Sequence, residues 1–437
     1  MHQTLLALAL TFLSACDSKD ANDTAPPEEA DVDADTDADT DADTDADTDA
    51  DTDADTDADT DADSDADSDA DSDADKDADG WSAEDGDCDD TNDSIYPGAT
   101  EQECDGIDSD CSGEREGAMV SGTMYTSLQS AINACPSGGT VLVCSGTHTG
   151  GFLTTQDITI EGYAADPEMA ILDGGKSQTV LALSSYTTVT LRSLTIQHGF
   201  SGYAAGGIDA SDVDALLMED CIVSENYADY EGGGLYATQS TSSSTIGIEI
   251  RDSVFRYNAS GYEGGAAAIG IRYDPITAVI EDTIFESNDA VNAGGALSLA
   301  SEDTTGDFTL SGVVFDANTA GSGGAIDYGS WGVGSVTLED CDATNNEGLS
   351  GAAYLFDVAG DHTTDGSVVI SGGSITSNGL TNGTSGALGA DSYWSIEVSD
   401  VDFGTGATDN DADINGCGSL GVGESFTYDP GAGIYCK

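Results

Sequence analysis

Three aspartates at alternate positions, Asp75, Asp77 and Asp79, are followed directly by Gly80. In this D-x-D-x-D-G pattern, alternate carboxylates turn toward one point, and the glycine allows the backbone to bend sharply around it. Oxygen ligands arranged in this way are typical of a calcium loop. We therefore predict a calcium site at these aspartates. The alternative is that they only cap turns, because many other alternating aspartates in the chain imitate the pattern.

Two further acidic clusters follow this loop. An EF-hand would need Glu at the twelfth loop position, where this chain has Gly86, so the sequence excludes an EF-hand. Residues 75–117 contain no His or Met, so the candidate ligands are carboxylates, which favour calcium and make copper unlikely. The additional candidate ligands are Asp85, Asp87, Asp89, Asp90, Asp105, Asp108 and Asp110.

The order of residues in this region is distinctive. Segment 87–111 reads DCDDTNDSIYPGATEQECDGIDSDC. It resembles the MopE-type metal-binding motif of large surface proteins from myxobacteria, through its elements D-C-D-D, P-G-A and C-D-G-x-D-x-D-C. The resemblance implies a small Cys- and Asp-rich metal-binding module, which we assign to residues 75–117. The family label suggests copper, whereas the carboxylates present here favour calcium.

The rest of the chain repeats itself at intervals of about thirty residues. Each repeat has a short apolar run that ends in Asn, and a glycine step follows soon after. Such a period is typical of stacked repeats, which present long flat faces rather than one deep pocket. The six asparagines are Asn226, Asn258, Asn288, Asn318, Asn346 and Asn378.

From this pattern we predict an all-β fold, a right-handed parallel β-helix of about nine coils over residues 120–437. Each coil should have three short strands, and the asparagines should form a hydrogen-bonded ladder. Phe255, Phe285 and Phe315 should stack in the core. Residues 125–149 look like the start of a pectin-lyase-like β-helix, in which a short helix caps the open end. The FxxN and GGA[ILV] pairs also resemble repeats of chlamydial polymorphic outer-membrane proteins, which are surface adhesins.

A charged column supports the stacking. Equivalent positions of four successive repeats alternate in sign, which is favourable when strands stack ~4.8 Å apart. These positions are Arg192, Glu219, Arg251 and Glu281. The next residue in most repeats is Asp or Gly, which is typical of a turn. A cation held by three successive aspartates of that position is the alternative.

The N-terminus predicts export. Residues 1–16 form a signal segment, and its Leu13-Ser14-Ala15-Cys16 end resembles the lipobox of bacterial lipoproteins. This resemblance implies a lipid on Cys16 that anchors the protein to a membrane. An ordinary cleaved signal is the alternative. We expect the protein in the bacterial cell envelope, at the outer membrane or cell surface.

An acidic tract follows the signal. Asp occupies every odd position from Asp31 to Asp79, so charge repulsion and the lack of apolar residues predict a disordered tether over residues 17–74. The whole chain has 85 acidic residues against nine Lys and Arg, a formal net charge of −76. This charge argues against nucleic acid as a partner and favours cations.

Ten cysteines in an exported chain predict disulfide bonds. Two bonds are expected at the ends of the solenoid, Cys135–Cys144 and Cys417–Cys436. The sequence leaves open the pairing of the three cysteines in the acidic module, which are Cys88, Cys104 and Cys111.

Catalytic chemistry has weaker support. The densest carboxylate group of the solenoid is Asp209, Asp212 and Asp214, near Arg192 in coil order. Carboxylates with a basic residue are what a polysaccharide hydrolase or lyase needs. His198 has no such partners and is expected in a turn. We expect a calcium-dependent binding or adhesion protein with a glycan or protein ligand on one face, with the polysaccharide lyase or hydrolase as the alternative. A calcium buffer without a specific partner is a third possibility.

Overall fold

The computed structural model describes residues 74–100, 104–105, 107–112, 117–238, 246–271, 276–301, 305–330, 333–349, 351–358, 366–380, 387–390, 394–403, 424–429 and 433–436. The predicted lipidation site Cys16, residues 17–73 of the tether, and Cys417 lie outside the described residues. Over the residues described, no helix is both long and apolar enough to cross a membrane.

Nearly all regular structure is β-strand, in four sheets that we name A to D. Sheet A contains, in spatial order, Thr123–Tyr125, Ala118–Val120, Gly139–Val143, Ile158–Gly162, Thr188–Arg192, Ala215–Glu219, Ile246–Arg251, Ile276–Glu281, Thr305–Ser311, Val333–Glu339, Gly366–Ser371, Trp394–Val401, Glu424–Asp429 and Gly433–Cys436. Sheet B contains Gly146–Thr149, Ala170–Asp173, Thr195–Gln197, Ile222–Ser224, Val254–Arg256, Ile284–Glu286, Val314–Asp316, Asp342–Thr344 and Ser374–Thr376.

The other two sheets close the coils. Sheet C contains Phe152–Thr154, Leu181–Leu183, Ile208–Ser211, Leu235–Thr238, Ala267–Ile271, Leu297–Ser301, Ile326–Ser330, Tyr354–Val358 and Leu388–Ala390. Sheet D contains Phe200–Ser201, Tyr227–Ala228, Ala259–Ser260, Asp289–Ala293, Thr319–Ser322, Glu347–Gly348 and Gly379–Leu380.

Successive repeats lie side by side in every sheet and run parallel, so the chain forms a parallel β-solenoid, as predicted. Seven coils, from 188–211 to 366–390, supply one strand to each sheet in the order A, B, D, C. The two coils before them, 139–154 and 158–183, supply strands to sheets A, B and C. The complete coils therefore number seven, against about nine predicted coils, because the first two coils supply no strand to sheet D.

The prediction of three strands per coil was wrong for the complete coils, which have four. The missed strand, in sheet D, directly follows the repeat asparagine and is as short as Tyr227–Ala228. The Tyr227 amide donates to the Gly199 carbonyl at 2.9 Å, and the Ala259 amide donates to the Asn226 carbonyl at 2.8 Å. Two residues are too few for an alternating hydrophobic pattern to reveal a strand.

Both ends of the solenoid depart from parallel pairing. Ala118–Val120 pairs antiparallel with the first coil strand, Gly139–Val143, and the last coil strand, Trp394–Val401, pairs antiparallel with Glu424–Asp429. The α-helix Leu128–Ala134 buries Leu128 and Ile132 against the first coil, as the sequence predicted. These elements cover edges that would otherwise offer unpaired backbone groups.

The solenoid core consists of inward side chains that stack from coil to coil. Strand Ile246–Arg251 alternates buried and outward residues, and its neighbours do the same in register. Phe255, Phe285 and Phe315 form the predicted stack, with ring centroids 5.1 and 5.3 Å apart. Offset stacking of such rings stabilises a core beyond their burial alone.

The predicted asparagine ladder is confirmed. The side-chain amide of each of the first five asparagines donates to the carboxamide oxygen of the next; for example, Asn288 Nδ2 donates to Asn318 Oδ1 at 3.0 Å. The same Nδ2 donates to the Phe255 carbonyl at 2.9 Å. All six side chains are buried, and they are Asn226, Asn258, Asn288, Asn318, Asn346 and Asn378. Their role is structural, because pairing satisfies the buried amides.

The charged column has the predicted register. Arg192 pairs with Glu219, and Glu219 is aligned with Arg251, which pairs with Glu281. The Arg192 Nε–Glu219 Oε2 and Arg251 Nε–Glu281 Oε2 distances are 2.9 and 3.0 Å. The next position is a left-handed turn, with a φ of 53° at Asp220, and the turn interpretation is therefore confirmed.

Candidate metal centre

The loop at the start of the described chain brings its alternating aspartates together. Potential ligand oxygens of Asp75, Asp77 and Asp79 all lie within 4.8 Å of one another. The backbone can turn this tightly because Gly80 has a φ of 105°, in the region that favours glycine. The sequence prediction of convergence at these three residues is therefore met.

Backbone hydrogen bonds orient the carboxylates of this loop. The Asp77 Oδ1 atom accepts from the Asp79 amide at 3.2 Å, and the Asp79 Oδ1 atom accepts from the Trp81 amide at 2.8 Å. Asp75 accepts from two amides, those of Ala78 at 2.6 Å and Gly80 at 3.0 Å. In Asp77 and Asp79, the Oδ1 atom thus orients the side chain, and the Oδ2 atom does not take part in these hydrogen bonds.

Asp87, which lies outside the loop, resembles Asp77 and Asp79 in the hydrogen bonding of its two carboxylate oxygens. Asp87 is 7% exposed, and its Oδ1 atom accepts from the Asp89 amide at 2.9 Å. The Oδ2 atoms of Asp77, Asp79 and Asp87 are all buried and have no hydrogen-bond partner in the described structure. A buried carboxylate oxygen without a partner is costly, so three of them point to a bound cation.

The pKa of Asp77 reflects the negative charges of the neighbouring carboxylates. Burial raises the pKa of the Asp77 carboxyl, and the hydrogen bond from the Asp79 amide opposes this shift. The negative charges of three neighbours raise the same pKa, and they belong to Asp79, Asp87 and Asp75. Like charges at short range repel unless a cation lies between them. Carboxylate oxygens alone form a donor set for a hard cation.

Asp87 lies outside the three residues whose oxygens are within 4.8 Å of one another, but it is close enough for its charge to act on Asp77. Ser82 caps the 3₁₀-helix Ala83–Asp85 by accepting from the Asp85 amide, and Gly86, with a φ of 102°, reverses the chain. The sequence placed Asp87 in a separate cluster. It is instead one residue beyond the position at which an EF-hand has its Glu. The signal that could have found it is Gly86, which allows a left-handed turn directly before Asp87.

The other predicted ligands lie outside this group. Each makes a local contact: Asp85 with the Ser82 hydroxyl, Asp89 with the Thr91 hydroxyl, Asp90 with Lys76, Asp105 with the Ile107 amide, and Asp108 and Asp110 with the Ser112 amide. The Asp90 carboxylate is 2.6 Å from Lys76 Nζ, and this hydrogen bond lowers the pKa of Asp90. Lys76 thereby ties the loop to the module.

Two disulfide bonds hold the module. Cys88 is bonded to Cys111, and Cys104 is bonded to Cys144 of the solenoid. The predicted Cys135–Cys144 bond is therefore wrong, and Cys135 is a buried free thiol. Because side chains alternate along a strand, Cys144 lies on the face opposite to Val143, whereas Cys135 belongs to the solenoid core with Val143.

These pairings give a direct chemical test. Peptide mapping without reduction is expected to recover one peptide pair containing Cys88–Cys111 and one containing Cys104–Cys144. Cys135 should react with iodoacetamide only after denaturation, because it is buried and burial raises the pKa of its thiol. Recovery of a Cys135–Cys144 peptide would contradict the structure. Alkylation of Cys221, another buried thiol, serves as the control for denaturation.

The weaker catalytic candidates do not form one site. Arg192 is in sheet A and pairs with Glu219, whereas Asp209 is in sheet C and accepts from the Ser211 amide at 3.0 Å. Asp212 occupies a left-handed turn with a φ of 59°, and Asp214 leads into the next sheet A strand.

His198 is a turn residue, as predicted, with a φ of 53°. Its Nδ1 atom is 2.8 Å from Asp173 Oδ2, and its Nε2 atom is 3.3 Å from Glu225 Oε2. The ring thus bridges the coils on either side.

The comparisons with known proteins agree with the module. The Cu-binding_MopE family model, described as "Putative metal-binding motif", matches residues 87–116. This match confirms the MopE-type resemblance found in the sequence. It includes Asp87 and the Cys88–Cys111 bond, and it begins after the loop Asp75–Asp79. No curated protein and no solved structure matches the chain.

Proposed function

We propose that this chain is a calcium-binding protein of the bacterial cell envelope, anchored to a membrane by a lipid on Cys16. Its solenoid presents a face that binds a glycan or protein ligand. The calcium site carries this proposal, because the buried Oδ2 atoms of Asp77, Asp79 and Asp87 have no partner in the described structure. Asp75 would complete the set of ligands.

Calcium suits the site better than the alternatives. The donors are carboxylate oxygens, and calcium accepts such ligands in flexible geometries, whereas magnesium requires a near-ideal octahedron. Copper prefers imidazole or sulfur, and both module cysteines nearest the site, Cys88 and Cys111, are used in a disulfide bond. When bound, the ion would offset the negative charges of the four carboxylates.

Calcium would also have a mechanical effect. The loop Asp75–Asp79 directly follows the predicted acidic tether, and Asp87 lies further along in the module. The Cys104–Cys144 bond fastens that module to the first coil. A shared ion would therefore join the tether rigidly to the solenoid, which supports a calcium-dependent display of the solenoid face.

The envelope and adhesion parts rest on resemblance. The lipobox-like end of the signal, the pectin-lyase-like start of the solenoid and the repeats similar to chlamydial surface adhesins support an exported binding protein. The lyase or hydrolase alternative has less support, because Arg192 is engaged by Glu219 and lies in a different sheet from Asp209.

Calcium calorimetry on the exported chain tests the proposal. We expect one saturable site with a Kd of about 10⁻⁵ to 10⁻³ M, above the weak background of the acidic tract. The double variant Asp77→Asn/Asp79→Asn should lose this site. The matched control, Asp65→Asn/Asp67→Asn, removes the same charge from the tract and should keep it.

Each outcome separates the candidate functions. Equal titrations of the two double variants would reject a discrete calcium site. Tighter binding of copper than of calcium would reject calcium as the ion of this site. A discrete calcium site without calcium-dependent retention on a glycan or cell-surface panel would favour the calcium buffer. New reducing ends or unsaturated uronates from that panel would establish the enzyme.

A further inference from the structure

Three tyrosines on consecutive coils form an exposed column beside sheet D. Tyr203, Tyr230 and Tyr262 are 69, 53 and 46% exposed. Backbone bonds set their register, because the Tyr230 amide donates to the Tyr203 carbonyl and the Tyr262 amide to the Tyr230 carbonyl, both at 2.9 Å. The first two rings are 5.5 Å apart at an angle of 43°. Exposed large aromatic residues in an ordered group mark a binding surface.

Two glutamates lie directly beside this column. Glu231 and Glu263 follow Tyr230 and Tyr262 in the chain and are paired across neighbouring coils. Both are partly buried. Glu263 accepts hydrogen bonds from Asn292 Nδ2 at 3.3 Å and Ser298 Oγ at 3.4 Å. Among the ion pairs of the described residues, none involves either glutamate.

The chain then turns back into sheet C directly after these glutamates. Gly232 and Gly264, each with a φ of 67°, reverse the backbone between sheet D and sheet C. This reversal places Tyr236 of sheet C near Glu231, whose charge raises the pKa of the Tyr236 hydroxyl after the larger effect of burial. Burial raises the pKa of Glu263, and the charge of Glu231 adds to that shift. The two carboxylates thus lack a compensating positive charge.

We propose that the surface formed by Tyr203, Tyr230, Tyr262, Glu231 and Glu263 binds the quaternary ammonium group of a small molecule. Aromatic faces attract weakly hydrated cations, and partly buried carboxylates are less screened than exposed ones. The pair Glu231 and Glu263 supplies the charge, and the tyrosines supply the faces. The site is separate from the metal centre and does not rest on the proposed calcium binding.

Choline and its neutral isostere 3,3-dimethyl-1-butanol test this assignment. Calorimetric titrations of the exported chain in about 0.15 M NaCl suppress non-specific binding to the acidic tract. We expect choline to bind about tenfold more tightly than the isostere. The variant Glu231→Gln/Glu263→Gln should lose about tenfold in choline affinity, and Tyr230→Ala should lose about fivefold.

Matched controls identify the site. Glu286→Gln and Tyr257→Ala change an outward glutamate and an exposed tyrosine that lie elsewhere, and both should bind choline unchanged. Thermal unfolding of every variant establishes that it is folded. Equal affinities for choline and the isostere, or equal losses in the site and control variants, would overturn the proposal. Calcium-site variants should retain choline binding, so failure of one site is distinguishable from failure of the other.

Discussion

Replacement of Asp87 by Asn is expected to weaken calcium binding by about 100-fold, which corresponds to ~2.8 kcal/mol. The substitution keeps the shape of the side chain and the oxygen that accepts from the Asp89 amide. It removes the charge of the buried Oδ2 atom, which has no other partner in the described structure. Calcium affinity depends on the number of charged ligands, so the loss of one buried carboxylate has a large effect. Calorimetry with calcium measures the change directly.

Asp89→Asn is the matched control for this prediction. Asp89 is two residues away and carries the same charge, but its carboxylate accepts from the exposed Thr91 hydroxyl at 2.7 Å. We expect the calcium affinity of Asp89→Asn to change less than about threefold, since the charge that is lost is exposed and screened by solvent. If both variants lose affinity equally, the ion is held by general negative charge rather than by Asp87. Unchanged affinity in Asp87→Asn would remove this residue from the site.

The solenoid could be predicted from the sequence because equivalent positions of successive coils require the same type of residue. A buried Asn must meet another Asn about 30 residues later, and Phe255 must meet Phe285. Such periodic constraints are visible in a single sequence. The sheet D strands were not visible, because two-residue strands such as Tyr227–Ala228 carry no alternation.

The site was only partly predictable for a different physical reason. Asp75, Asp77 and Asp79 continue the alternation of the acidic tract and differ from it only in Lys76 and in the glycine that follows. What distinguishes them is burial, because the Oδ2 atoms of Asp77 and Asp79 are buried without a hydrogen-bond partner in the described structure, as is that of Asp87. This burial arises in the folded structure, and residue spacing alone does not encode it.

The disulfide pairing illustrates the same limit. Cys135 and Cys144 are close in sequence and flank a tight turn, which made their bond the natural prediction. The Cys135 side chain packs in the solenoid core, whereas the Cys144 side chain packs with Cys104 in a separate cluster. Cys104 reaches Cys144 from the module, 40 residues away in sequence. The bond therefore connects two parts that the sequence suggested were independent.

Replacement of Asn318 by Ala is expected to lower the free energy of unfolding by about 3–5 kcal/mol. The Asn318 side chain makes four buried hydrogen bonds. Its Nδ2 atom donates to Asn346 Oδ1 at 3.0 Å and to the Phe285 carbonyl at 2.9 Å, and its Oδ1 atom accepts from Nδ2 and the backbone amide of Asn288. Alanine leaves these groups buried without partners, which costs more than the net value of the bonds themselves. Equilibrium unfolding in urea measures the change.

Two variants make this test specific to the ladder. Asn292→Ala removes an exposed asparagine next to the same turns and should change stability by less than about 0.5 kcal/mol. Asn226 is the first asparagine of the ladder, and its Oδ1 atom accepts from the Gly199 amide at 2.7 Å. The variant Asn226→Ala therefore removes the acceptor of this one donor, whereas Asn318→Ala removes the acceptor of two. We expect an intermediate loss there. A repeat protein transmits stability through neighbouring coils, so a broken ladder in the middle should also reduce cooperativity and the slope of unfolding with urea. An Asn318→Ala protein as stable as Asn292→Ala would mean that sheet pairing and core stacking alone hold the coils in register.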